Sequence, residues 1–430
     1  MRKFDSSLQA KSGFAHQESS CCQSYSQPFG KLRTPPSQGW LNVYAKRAYQ
    51  IVKVLSAEIG PRLAGSKGEQ KALEYAEEIL NRCCERVERM ECKFPRPVPF
   101  NPLIAFGAAA LIWCGWAFPR HPQAMIEYLV AFFALPRLVR WLRGMRAPSA
   151  RSYNLIGYAP KPKGAEATLI LCAHIDSAWA SRVGREWVAN LRVALREMWL
   201  PSVVALGLLA IVKIAGDHLA WYPLQQPWWL FDPLVVVYAM AFGTLQLAIT
   251  LLGWSKEVSP GAHDNASGVA TVLTLAEHFA QQPPQRLALQ YVLFTAEEGG
   301  LLGSKAFVKQ TPMDERDTYV LNFDMVGSGQ RLYYVRGADL FPPRFTDKRL
   351  NALLKEIVPD IKSRWYWYGG GSDFHSFLAK GIPATSLQTR GNRRAASVYH
   401  TTGDTIEVIE PDTLRRVVNM AVQVIGRLDS

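Results

Sequence analysis

The sequence predicts an α/β domain built on a mainly parallel sheet, with two apolar helical hairpins spliced into it. Three observations carry that expectation. Short runs of core-type residues alternate with stretches of helical period. Acidic residues and histidines follow directly after several of those runs. The chain is also two kinds of sequence in one. Its 430 residues are 48% hydrophobic and 20% charged, yet a mean hydropathy of -0.04 averages very polar and very apolar stretches. That composition excludes a wholly disordered chain.

Residues 1–40 are rich in Ser, Gln, Lys and Gly, with Pro35-Pro36 near the end, and read as a mobile polar tail. They lack the apolar core of a cleaved secretory signal, so secretion is not the expectation. Seven cysteines without regular spacing, two of the pairs adjacent (Cys21-Cys22, Cys83-Cys84), argue against a disulfide framework and for a reducing compartment. Helical periodicity begins near Leu41 and runs through Val43, Ala45, Ala48, Ile51, Val52 and Leu55 to a pause at Gly60-Pro61. A second amphipathic helix is expected from about Gly68 to Arg89, with Leu73, Ala76, Ile79 and Leu80 on one face. Residues 41–98 thus form the N-terminal helical part of the domain.

The composition then changes. Residues 99–146 carry the apolar segments Pro102–Phe118 and Ala124–Leu135, and residues 196–255 carry Trp199–Ala215 and Leu234–Trp254. A spanning helix needs about 20 predominantly apolar residues. The fourth segment meets that length, and the first and third are at its edge, the third with Lys213 near its end. The second is short and meets Pro136 and Arg137, so it either spans or lies in the interface. Trp113, Trp116, Trp199, Trp228, Trp229 and Trp254 bracket the segments as an aromatic belt would. The expectation is two transmembrane or membrane-embedded hairpins rather than buried helices of a large soluble domain.

Residues 147–195 and 256–430 return to the α/β pattern. Ala167–Ala173, Leu287–Thr295, Tyr319–Phe323 and Ile382–Leu387 read as buried strands, separated by helical stretches such as Ser267–Phe279 and Arg349–Ile357. His174 and Asp176 follow the first strand, Glu297-Glu298 the second and Asp324 the third. Asp264 sits where a helix starts, and His400 lies in Tyr399-His400-Thr401-Thr402-Gly403-Asp404. Taken singly, each has an ordinary reading: a surface histidine, a solvated Glu pair, a helix cap. His263 and His375 keep that ordinary reading. Together, beyond the carboxyl ends of parallel strands, imidazoles and carboxylates make a metal site suited to zinc. Three carboxylates and a hydroxide nearly balance two dications, so two metals sharing a ligand fit the set.

In this order the motifs resemble a known family. His174-x-Asp176, Gly261-Ala262-His263-Asp264-Asn265-Ala266-Ser267-Gly268, the strand ending before Glu297-Glu298, Asn322-x-Asp324, Gly371-Ser372-Asp373 and Tyr399-His400-Thr401 are similar to the pattern of the M28 zinc aminopeptidases. Gly60-Pro61-Arg62-Leu63-Ala64-Gly65-Ser66 and Asn154-Leu155-Ile156-Gly157 continue the resemblance upstream. The family implies a mixed, mainly parallel sheet flanked by helices, as in zinc exopeptidases. It implies two zinc ions per chain: one held by His174, Asp264 and Asp324, the other by Asp264, Glu298 and His400, with Asp264 bridging. Glu297 would be the general base acting on a metal-bridging water, and Asp176 would orient His174. The implied activity is removal of N-terminal residues from peptides with a free amine. Alternatives on the same fold are a carboxypeptidase or a glutaminyl-cyclase-like enzyme; outside enzymes, the alternative is a non-catalytic membrane scaffold derived from a peptidase. The departure from the family is the stretch between Asp176 and Asp264, which contains the second hairpin.

A net charge of +13 calls for an anionic partner, either nucleic acid or a lipid surface. Its distribution favours lipid. Arg137, Arg140, Arg143, Arg146 and Arg151 follow the second apolar segment, and Arg185, Arg192 and Arg196 precede the third. The loops at the other ends of the hairpins offer Arg120 alone. Both hairpins must return to the side they leave, because His174 and Asp264 meet in one site. The positive-inside rule makes that side cytoplasmic.

Overall fold

The computed structural model describes residues 38–99, 102–146, 149–219, 228–339, 342–366 and 371–430. The expected tail lies outside the described residues as far as 37, and Gln38, Gly39 and Trp40 already belong to the first helix, α1 (Gln38–Lys53). α2 (Lys67–Cys83) follows, its N-terminus capped by Ser66, whose side chain accepts from Glu69 N. It ends earlier than the periodicity implied. Cys84 is extended, and Arg86–Pro95 is a strand, β1, whose charged residues face outward at the edge of the sheet. Beyond Cys84 charged and apolar residues alternate with the period of a strand, and the expected helix overran that change.

Nine strands among the described residues form one mixed sheet. Its centre is parallel, in the order β4 (Leu287–Phe294), β3 (Ala167–His174), β5 (Thr318–Phe323), β9 (Ala384–Arg390). These are the four strands expected from buried runs. β3, β4 and β5 are mostly apolar because both faces are covered, whereas β9 starts later than expected and runs on to Arg390 through polar residues. β4, LALQYVLF, is buried along its whole length. The flanks are antiparallel: β1 and β2 (Ser149–Tyr158) beyond β4, β6 (Arg331–Ala338) and β7 (Arg344–Phe345) beyond β9, while β8 (Lys362–Tyr366) runs parallel to β6. One face packs Ile51, Leu73, Val269 and Val417 from helices including α2 and Ser267–Gln281. The other packs Phe294, Phe307, Phe374 and Phe377.

Four further helices, α3 (Pro102–Ala117), α4 (Gln123–Arg146), α5 (Glu186–Leu219) and α6 (Trp228–Gly253), are the two expected hairpins, and they have their own core around Leu111, Val203, Leu206 and Ala239. Small residues let them approach closely. A Cβ on Gly243 would meet Ile112 Cγ1 at 2.7 Å and Ala108 O at 2.9 Å, and one on Gly115 would meet Ala239 Cβ at 2.5 Å. Met198–His218 and Leu230–Gly253 are long and apolar enough to cross a membrane. Pro136 does not break α4, which runs on as one helix to Arg146. The aromatic-belt reading fails for Trp199, which is buried against Gly107 and stacks edge-on with Phe242. Trp113 and Trp116 are exposed as expected, and the far loop of the second hairpin lies outside the described residues over 220–227.

Candidate metal centre

Most of the expected site residues leave the sheet at a carboxyl end, whereas Asp264 and His400 come from segments between helices. His174 closes β3, Glu297-Glu298 follow β4 and Asp324 follows β5. The backbone there is bent out of its ordinary wells: Ala296, Met325 and His400 have φ of 53°, 54° and 52°. Non-glycine residues hold such angles only where their surroundings impose them, typically at functional sites. Asp264 is set by a short turn ahead of helix Ser267–Gln281. Ser267 Oγ donates to His263 O and accepts from Val326 N, tying that turn to the segment after Asp324.

The side chains converge as two groups that share one residue. Ligand atoms of His174, Asp264 and Asp324 lie within 4.8 Å of one another, and so do those of Asp264, Glu298 and His400. His174 Nε2 is 3.3 Å from Asp264 Oδ1 and 3.8 Å from Asp324 Oδ1. His400 Nε2 is 3.0 Å from Asp264 Oδ2 and 3.1 Å from Glu298 Oε1. Glu297 belongs to neither group, yet its Oε2 is 4.0 Å from His174 Nε2. The two oxygens of Asp264 thus face different histidines. The donor set, imidazole nitrogens with carboxylate oxygens, fits zinc.

Asp176 does more than orient His174. Its main-chain oxygen is 3.1 Å from His174 Nδ1 and its Oδ1 3.6 Å, while its carboxylate accepts from the N–H groups of Glu297 and Glu298 at 3.0 and 3.2 Å. It therefore fixes both the imidazole and the Glu pair. His263 lines the cavity but joins neither group, and burial pushes its pKa down to about 4. His375 pairs with Asp339 instead.

The electrostatics show a cluster of negative charge held together by imidazoles. Burial lifts Glu297 well above the usual carboxylate range; His174 opposes that, and Glu298, Asp373 and Asp324 add to it. Burial also raises Glu298, with His400 opposing. His174 and His400 are buried, which disfavours their charged forms, yet Glu297 acting on His174 and Glu298 acting on His400 raise both, His400 to about 10. Asp264 is buried too, but its two histidine partners hold it far below the ordinary value. A set that captures protons in this way is one that dications would satisfy.

Supporting residues went unassigned at the sequence level. Arg62, wholly buried, donates Nε to Ile175 O, Nη1 to Leu55, Gly60 and Pro260 carbonyls, and Nη2 to Gly261 O. Asp404 accepts from the N–H groups of His263 and Asp264 at 2.8 and 3.0 Å. Glu69 accepts from Gly65 N and Ser152 Oγ, each at 2.6 Å, and from Thr295 Oγ1. The resembling motifs contain Arg62, and Asp404 closes the segment that holds His400, but nothing in spacing separated a brace from a loop residue.

Residues 253–425 match the family model "Peptidase family M28". A probable lipoprotein aminopeptidase of Mycobacterium tuberculosis is 28% identical over 39% of this chain and 38% of its own length. Leucine aminopeptidase 1 of Ajellomyces capsulatus is 26% identical over 47% of this chain and 57% of its own. The chain thus spans well under two thirds of the curated relatives it matches. A zinc aminopeptidase from Bacillus subtilis shares the fold, with a TM-score of 0.52 at 16% identity over 89% of this chain and 95% of that one. The mixed sheet flanked by helices is the fold that the motifs implied.

Proposed function

From its M28 peptidase region, we propose that this chain is a membrane-embedded zinc aminopeptidase removing N-terminal residues from peptides with a free amine. His174, Asp264 and Asp324 would hold one ion, and Asp264, Glu298 and His400 the other. The observation that carries this reading is the pair of three-residue groups meeting at Asp264, with Glu297 left beside them. When bound, the two zinc ions would supply Lewis-acid activation of the attacking water and of the scissile carbonyl.

The protein's own part is proton handling and positioning. Glu297 carries the base role because its carboxyl is free of both groups and stands next to them. It would take the proton of the attacking water and return it to the leaving amine. Asp176 holds the backbone of Glu297 and Glu298, fixing where the two side chains start. The cavity around them, about 480 Å³, is of the size that binds small ligands. The long apolar helices support embedding in a bilayer, with the domain on the cytoplasmic side by charge.

Two substitutions test the division of roles. Glu297→Gln should lower turnover by about 100-fold or more while metal content stays at two ions. Glu298→Gln should instead lose the ion shared by Asp264, Glu298 and His400. Equal metal loss in both variants, or a near-normal rate in Glu297→Gln, would overturn the assignment. Faster cleavage of N-acetylated than of free peptides would overturn the aminopeptidase reading.

A further inference from the structure

Beyond the ligand set, the lining of the catalytic cavity is cationic, and no role given above uses that charge. Arg331, Arg364, Arg390 and Arg393 all line it. Arg331 and Arg390 are direct cross-strand partners in the antiparallel pair β6 and β9. Like charges placed directly opposite each other destabilise a sheet unless an anion lies between them. Among the described residues, the guanidinium groups of Arg331, Arg390 and Arg393 have no carboxylate partner. Arg364 lies over the Tyr366 ring at 4.7 Å and reaches only the neutral Gln388 Oε1 at 3.4 Å.

The turn that joins Arg390 to Arg393 is well braced. Gly391 takes φ +111°, and Asn392 Oδ1 accepts from the N–H groups of Arg394 and Ala395. Asn392 Nδ2 donates to Glu410 Oε1 at 2.7 Å, and Glu410 Oε2 accepts from Gly329 N and Thr413 Oγ1. The carboxylate at this turn is therefore spent on holding the loop, and leaves the arginines uncompensated.

We propose that Arg331, Arg364, Arg390 and Arg393 form a carboxylate-binding wall, so that the substrates are peptides carrying a carboxylate inside the catalytic cavity. This rests on the aminopeptidase reading and narrows it. Guanidinium forks match carboxylates in paired hydrogen bonds. Two sources supply that group: the free C-terminus of a di- or tripeptide, or the side chain of an N-terminal Asp or Glu.

The test measures kcat/KM of the detergent-purified full chain on two substrate pairs. Ala-Ala against Ala-Ala-amide reports the C-terminal source, and Glu-Ala-amide against Gln-Ala-amide the side-chain source. The expected result is a preference of about tenfold or more for the carboxylate member of one pair, the value of a charge-assisted hydrogen bond. In an Arg364→Gln, Arg390→Gln double variant that ratio should collapse toward one. Equal kcat/KM within both pairs for the wild-type protein overturns the proposal, whatever the variants do. Failure to cleave any of the four peptides overturns the aminopeptidase reading instead. Calorimetric binding of the same pairs to zinc-loaded Glu297→Gln protein then still decides the wall, because equal affinities within both pairs refute it.

Discussion

Replacing Arg62 by Met should unsettle the candidate metal centre without touching any of the residues proposed to hold the ions. The guanidinium is wholly buried and donates to five carbonyls from three separate stretches: Leu55 and Gly60, Ile175, and Pro260 and Gly261. Ile175 follows His174, and Gly261 precedes Asp264 by one turn, so a single side chain ties two ligand loops together. Each hydrogen bond to a charged group is worth about 1.5–3 kcal/mol. Five cannot simply be summed, because burial of the charge opposes them and lowers Arg62 from 12.5 to about 10. Removing one member of a buried charge network costs about 3–5 kcal/mol. Arg62→Met keeps the apolar stem and leaves the carbonyls and the charges of Asp404, Asp176 and Asp264 uncompensated, so a loss in that range is expected. Arg62→Lys should recover only part of it, since an ammonium has three donors and no fork. Thermal denaturation of the full chain in detergent, with metal content measured on the same samples, checks both points. An Arg62→Met protein with wild-type midpoint and wild-type metal content would refute the reasoning.

The helical bundle gives three further predictions. Lys213 is buried with Nζ 2.6 Å from both oxygens of Asp232, so Lys213→Met alone should cost about 3–5 kcal/mol, whereas Lys213→Met with Asp232→Leu should restore most of it, read from the same midpoints. Gly243→Leu should force α3 and α6 apart at a cost of about 1–3 kcal/mol, while Gly426→Ala, with nothing within 4 Å of the new Cβ, serves as the comparison. Reporter fusions at residue 430 and near residue 222 should report the cytoplasmic and the opposite side respectively. An externally active C-terminal fusion, or complete extraction by alkaline carbonate, would show that topology to be mistaken.

The central sheet was legible because its strands are covered on both faces. β3, β4 and β5 are short, mostly apolar runs bounded by polar residues, and they are buried along nearly their whole length. The flanking strands were not legible, for the same reason inverted. β1 carries Arg86, Glu88, Glu91 and Lys93 toward solvent and pairs with only one neighbour, so its composition follows the exposed edge and not the fold. In the site, residues that act through their type could be read: a histidine or a carboxylate just past a strand end. Residues that act through their position could not. Arg62 and Asp404 serve main-chain groups, and Glu69 side-chain hydroxyls, far away in sequence, and such a charge looks like any loop or helix residue until the chain has folded.

The second hairpin shows where position matters most. It leaves the domain after Asp176 and returns before Asp264; its outgoing end grips the loop that presents His400, and its returning end pairs with that outgoing end. Ser181 N donates to His400 O at 2.7 Å, Arg182 N to Gly253 O at 3.2 Å, and Ala180 N to Glu257 O at 2.8 Å. From the first turns of α5, Arg192 Nη2 donates to Tyr399 O at 3.2 Å, and a Cβ on Gly184 would meet Thr401 Cγ2 at 3.3 Å. His400 itself holds a φ of 52°, a conformation its neighbours must impose. The stem of the insertion supplies part of that constraint. The hairpin is therefore built into the support of a ligand loop and does not hang from the domain as a separable anchor. A change in how the bundle sits would reach His400 through two hydrogen bonds onto main-chain carbonyls, one from the Ser181 N–H and one from the Arg192 guanidinium.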